Sequence, residues 1–133
     1  MEIFRITEII IGKSFEVHNQ LGFGFLEKVY ENALALELRD QAGFLVNQQY
    51  PIPVFYKNAK VGDYFADLFV EDAIVVEVKS VRKILKEHEA QLVHYLTAMK
   101  VDHGLLINFG PSVVVKHKFR EYRPRKIAFT RDS

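Results

Sequence analysis

The stretch "YFADLFVEDAIVVEVKSV", Tyr64 to Val81, decides how this sequence folds. Its halves, Tyr64–Val70 and Ala73–Val81, are rich in β-branched and aromatic residues and are separated only by Glu71-Asp72. Two such runs joined by a short polar step predict an antiparallel hairpin. The second half is largely apolar, as expected of a strand near a sheet centre. It nevertheless carries Glu77 and Lys79, which a strand places on one face while Val76 and Val78 point to the other. Charged side chains in a central strand are solvated, paired or functional. Asp67 lies across the hairpin, near enough to join them.

These three residues admit two readings. Glu77 and Lys79 form the outer face of an amphipathic strand, with Asp67 an incidental partner. Alternatively, Asp67 and Glu77 converge on one point and suit a hard divalent cation such as Mg²⁺, which prefers oxygen ligands. Lys79 would then orient a water, help deprotonate it, or stabilise charge on a phosphate.

Working outward, Ile6, Ile9, Ile10, Lys13, Val17 and Leu21 have helical spacing, and Gly22 and Gly24 read as the stop. A second helix is expected from about Phe25 to about Gln41. One stripe holds Leu26, Val29, Ala33, Leu36 and Asp40, and its neighbour holds Tyr30, Leu34 and Leu38. That pattern predicts burial on more than one side. Gly43 ends the helix. "FLVNQQYPIPVFYK" is rich in strand formers, and Pro51 and Pro53 predict an edge or bent strand. Asn58 starts a turn. After the hairpin come a helix from about Lys86 to Lys100, a buried strand in "HGLLINFG", and a last strand in "SVVVKHKFR". The order is ααβββαββ, and no repeat or second domain shows in residues 1–133.

Composition narrows the function. At 133 residues, 49% hydrophobic and 26% charged, the chain suits one folded domain. The absence of cysteine excludes disulfides and thiolate metal sites and fits a reducing cytoplasm. The N-terminus is too short in apolar residues, and too interrupted by Lys13 and Glu16, for a signal peptide or membrane span. Net charge is only +1, yet residues 116–133 carry seven Lys or Arg against two acids. This basic tail, from about residue 120, is either a solubilising segment or a footprint for phosphate. "GFGFLE" is not a dinucleotide fingerprint, because it follows a helix and lacks a preceding strand.

Asp67 followed, after a turn, by Glu77-Val78-Lys79 resembles the catalytic core of the PD-(D/E)XK nuclease superfamily. "GFLEKVY", with Gly24, Glu27 and Tyr30, resembles the signature of the GxxExxY family, small bacterial and archaeal proteins of that superfamily. "HEAQLVHYL" and "GLLINFG" resemble further blocks of the family, in the same order, so the likeness runs from about Ile6 to Phe119. One departure is Ala66, which stands where the motif has proline.

The resemblance implies an α/β, restriction-endonuclease-like core, a mixed central sheet flanked by helices. It implies Asp67, Glu77, the Val78 carbonyl and Glu27 as metal ligands, Lys79 as the catalytic lysine, and Gln91 as a support for the lysine or a substrate contact. Mg²⁺ is the implied cofactor, with Mn²⁺ as a substitute, and nucleic acid, DNA first, the implied partner. Local physics sits beside each role. Glu27 in the opening turns of its helix is favoured by the macrodipole alone. Tyr30, three residues on, is an ordinary core residue or a group that orients a carboxylate. Both are expected to face the Asp67–Glu77–Lys79 cluster. His88, Gln91 and Tyr95 share one helical face. His88 reads as a surface residue at a helix start, and Tyr95 as a supporting one.

Three functions compete: a Mg²⁺-dependent nuclease, a catalytically silent nuclease-fold module for binding or assembly, and an RNA- or nucleotide-processing enzyme with the same metal site. Exposed sheet edges leave a homodimer open.

Overall fold

The computed structural model describes residues 1–121. Helix α1 spans Ile3–Leu21 and buries Ile6, Ile10 and Val17. Gly22, at φ 70°, ends it in the left-handed region and donates its N–H to the His18 carbonyl. Helix α2 spans Glu27–Leu36 and finishes in a π-helical turn, Glu37–Gln41. Strands β1 (Val46–Tyr56), β2 (Ala59–Val70) and β3 (Ile74–Lys79) follow, then α3 (Lys86–Met99), β4 (His103–Phe109) and β5 (Val113–Phe119). This is the expected ααβββαββ order.

The five strands form one sheet in the order β1-β2-β3-β4-β5. Every pair is antiparallel except β3–β4, which α3 connects as a parallel crossover. The sheet is therefore mixed. Prolines 51 and 53 lie on the edge strand β1, where no ladder donor is lost from the sheet interior. Helices α1 and α2 cover one face through Ile6, Ile10, Tyr30, Leu34 and Leu38, packed on Leu68, Val76, Val78, Leu105 and Ile107. On the other face, Leu92, Tyr95 and Leu96 of α3 pack on Phe69, Val75 and Leu106. Strand β3 is buried from both sides, which explains its apolar run.

Three expectations shift. Strand β2 starts at Ala59 rather than Tyr64, because Lys57 and Asn58, at φ 47° and 67°, make a tight hairpin turn that lets pairing begin at once. Helix α2 is not buried on two sides among the described residues. Its Tyr30–Leu34–Leu38 stripe is buried, but Leu26, Val29 and Leu36 are exposed, since the sheet offers α2 only one surface. Strand β3 ends at Lys79, where the Asn108 side chain takes over the Val81 backbone, accepting its N–H at 3.0 Å and donating to its carbonyl at 2.8 Å. The basic tail lies, from residue 122 on, outside the described residues. Of its earlier cations, Lys118 pairs with Glu89 at 3.0 Å and Arg120 with Asp102 at 3.1 Å.

Candidate functional site

The hairpin ladder between β2 and β3 runs from Val70↔Ile74 to Leu68↔Val76 and stops there. Beyond that point the strands part, and two carboxylates fill the opening. Glu77 Oε2 accepts the Asp67 N–H at 2.8 Å, and Asp67 Oδ2 accepts the Val78 N–H at 2.8 Å. Backbone donors that would otherwise be orphaned are thus satisfied by side chains. Glu77 is only 7% exposed. Burial, and then the negative charge of Asp67, push its pKa up from 4.5 to about 8, against the bond from the Asp67 amide and the positive charge of Lys79. Asp67 is also raised, first by burial, with Glu31 and Glu27 adding repulsion and the Val78 and Gln49 bonds opposing it.

A second layer stands behind Asp67. Glu31 of α2 is buried at 3% exposure. Its carboxylate accepts from Gln48 at 2.8 Å, Gln49 at 2.9 Å and Lys28 at 3.1 Å. The Gln49 Nε2 also donates to Asp67 Oδ1 at 3.2 Å. Neither Glu31 nor Gln49 stood out as a site residue in the sequence. For Glu31 a signal existed: it lies at i, i+3, i+4 and i+7 with Leu34, Ala35 and Leu38, a charge heading a buried stripe. For Gln49 there was none.

The remaining expected residues distribute as follows. Lys79 is half-buried on the Glu77 face of β3, and its charge lowers the Glu77 pKa without forming an ion pair among the described residues. Glu27 sits exposed in the first turn of α2, and its charge acts on Asp67, more weakly than that of Glu31. Tyr30 does not orient a carboxylate. Its hydroxyl donates to the Gly22 carbonyl and accepts the Phe25 N–H at 3.3 Å, and its ring stacks on Phe109 at 4.8 Å between centroids. It therefore locks the turn between α1 and α2. Tyr95 is buried, its phenol pushed up to about 12 by burial and then by the charges of Glu77 and Asp67. Gln91 is exposed on α3 and lines, with Tyr64, His94 and Tyr95, a cleft of about 600 Å³ between α3 and strands β1 and β2. It makes no hydrogen bond to Lys79 among the described residues. His88 is a helix-start residue, its Nδ1 accepting the Leu85 N–H at 3.0 Å.

The donor set is carboxylate and carbonyl oxygen, the chemistry of Mg²⁺ or Mn²⁺ rather than of a soft metal. The buried Glu77 and the half-buried Asp67 both have a raised pKa, and a divalent ion would supply positive charge there beyond that of Lys79. Among the described residues, no three His, Asp or Glu side chains are gathered closely enough to hold a metal as they stand. Asp67, Glu77 and Glu31 are each engaged by N–H donors instead.

The family model of the PD-(D/E)XK nuclease superfamily matches residues 4–122. The chain is also similar in fold to the crystal structure of SSO0001, at 17% identity and a TM-score of 0.55, covering 90% of this chain. It spans 60% of that chain's length. No curated protein matches the sequence. Three helices on a mixed five-stranded sheet are consistent with the restriction-endonuclease-like fold. Among the described residues, no helix is long and apolar enough to cross a membrane.

Proposed function

Because this chain belongs to the PD-(D/E)XK nuclease superfamily, we propose that it is a divalent-metal-dependent phosphodiesterase of the GxxExxY type, acting on nucleic acid, DNA first. The observation that carries this reading is the reciprocal bonding of Asp67 and Glu77 where β2 and β3 part, with Lys79 on the face of Glu77. Asp67, Glu77 and the Val78 carbonyl would hold Mg²⁺ or Mn²⁺, with Glu27 near them on α2. When bound, such a cation neutralises charge on a phosphate and lowers the pKa of a coordinated water. Lys79 presents an ammonium to the same space and stabilises negative charge developing on the phosphate. From α3, Gln91 would contact substrate through the cleft it lines, and Tyr95, whose phenol feels the charges of Glu77 and Asp67, would support the site. Tyr30 supports from a distance by fixing the α1–α2 turn. A single domain, a cytoplasmic setting and a homodimer formed through a sheet edge complete the reading. It is supported by one continuous sheet, by the lack of cysteine and by the open edges of β1 and β5.

The test is incubation with labelled single-stranded, duplex and branched DNA plus Mn²⁺. Cleavage by the wild type that disappears in Glu77→Ala and Lys79→Ala is expected. Cleavage that survives both substitutions would overturn the assignment. A second reading, a silent binding or assembly module, draws on the carboxylates being already engaged by N–H donors. Metal binding without cleavage of any of the three substrates would favour it.

A further inference from the structure

Successive residues of a regular strand point to opposite faces, yet Gln48 and Gln49 both reach Glu31, at 2.8 and 2.9 Å. The cause is Gln49 itself, which sits inside β1 at φ 52°, in the left-handed region that a side chain with a Cβ adopts reluctantly. The alternation of β1 changes phase there. Val46 and Gln48 face α2, whereas Tyr50 and Ile52 face α3, although all four are an even number of residues apart. Strand β2 changes phase opposite it: Ala66 packs with the α3 layer and Leu68 with the α1–α2 layer. Cα pairing skips Gln49 and Asp67, although Gln48↔Leu68 and Tyr50↔Ala66 pair on either side.

This irregularity does one identifiable thing. It brings the Gln49 amide between two carboxylates, donating to Glu31 Oε1 at 2.9 Å and to Asp67 Oδ1 at 3.2 Å. Strained backbone conformations inside regular elements cluster at functional sites.

We propose that Gln49 is a positioning residue that draws the buried Glu31 into the divalent-cation site, by holding its carboxylate towards Asp67. The proposal rests on the metal-dependent reading above and adds Glu31 to it as an acid from α2. Gln49 acts through these carboxylates and touches no reacting atom. Gln48 and Lys28 hold the other oxygen of Glu31, leaving Oε1 directed to Gln49 and Asp67.

The experiment measures Mn²⁺ affinity by calorimetry on the metal-free full chain. Gln49→Gly relaxes the backbone and removes the amide. Gln49→Asn accepts positive φ but is too short to bridge. Each is expected to weaken Mn²⁺ binding by about tenfold or more, the usual effect of losing a partner that orients a ligand. Glu31→Gln should weaken it comparably, and the Gln49→Gly/Glu31→Gln pair should lose no more than the worse single variant, because both act on one element. Wild-type affinity in Gln49→Gly or in Gln49→Asn, whichever folds, would overturn the proposal and leave the contact purely structural. So would fully additive losses in the pair. Wild-type protein that binds no Mn²⁺, or Asp67→Asn that binds as tightly as wild type, would overturn the metal reading itself and this inference with it.

Discussion

Asp67 and Glu77 each cap the backbone of the other's strand: the Asp67 N–H is held by the Glu77 carboxylate and the Val78 N–H by the Asp67 carboxylate, both at 2.8 Å. The same bonds hold the buried Glu77 carboxyl and the half-buried Asp67 carboxyl at the point where β2 and β3 part. Burial of Glu77, and then the negative charge of Asp67, make the site respond to pH.

In the metal-free protein, Glu77 has its pKa raised from 4.5 to about 8. Burial of its neutral form therefore contributes stability that is fully present below about pH 4.5 and is lost as pH rises through about 8. Unfolding free energy should fall by about 3 kcal/mol between about pH 5 and about pH 8 from this group. Glu77→Gln should flatten that slope in denaturant titrations. An unchanged slope would mean that Glu77 stays charged when buried.

Lys79 makes no ion pair among the described residues but lowers the pKa of Glu77 by its charge. Lys79→Ala should abolish DNA cleavage while leaving Mn²⁺ binding measurable. It should shift the pH midpoint of that binding upward, because the proton on Glu77 must leave before the cation is held. A downward shift would contradict the placement of Lys79.

Tyr30→Phe removes a part-buried hydroxyl that serves the Gly22 carbonyl and the Phe25 N–H. The loss should be about 1 kcal/mol of stability, read from a denaturant midpoint. Nuclease activity should persist in the folded protein, since the phenol bonds the turn and no carboxylate. Loss of cleavage with full stability would restore a direct role for Tyr30.

A Cβ on Gly110 would lie 2.5 Å from the Val81 carbonyl oxygen and 2.8 Å from Asn108 Nδ2. Gly110→Ala therefore has to displace the clamp that ends β3 beside Lys79. It should cost about 2 kcal/mol or more. A melting temperature equal to that of the wild type would show that the loop after β3 yields freely.

Much of the fold was legible in the sequence, for local reasons. Glu71-Asp72 between two β-rich runs announced the hairpin, Pro51 and Pro53 announced the edge strand, and Gly22 announced the end of α1. That Asp67 lies near Glu77 followed from the hairpin, although Ala73 joins the turn and shifts the register by one residue. Glu31 and Gln49 escaped because their roles arise from a phase change at one strained residue, and a glutamine does not signal positive φ as glycine does. The exposed Leu26, Val29 and Leu36 stripe of α2 misled for a related reason. Helical spacing records where apolar residues lie, whereas burial depends on what the sheet places against them. Tyr30 was read as a neighbour of Glu27, but its ring is drawn inward to stack on Phe109 and its hydroxyl bonds the turn between α1 and α2.

The most direct test of the account is anomalous diffraction from crystals soaked in Mn²⁺. The account predicts a Mn²⁺ peak within bonding distance of the Asp67 and Glu77 carboxylates, lost in Asp67→Ala/Glu77→Ala. A peak elsewhere, or none under conditions in which the protein cleaves DNA, would contradict it.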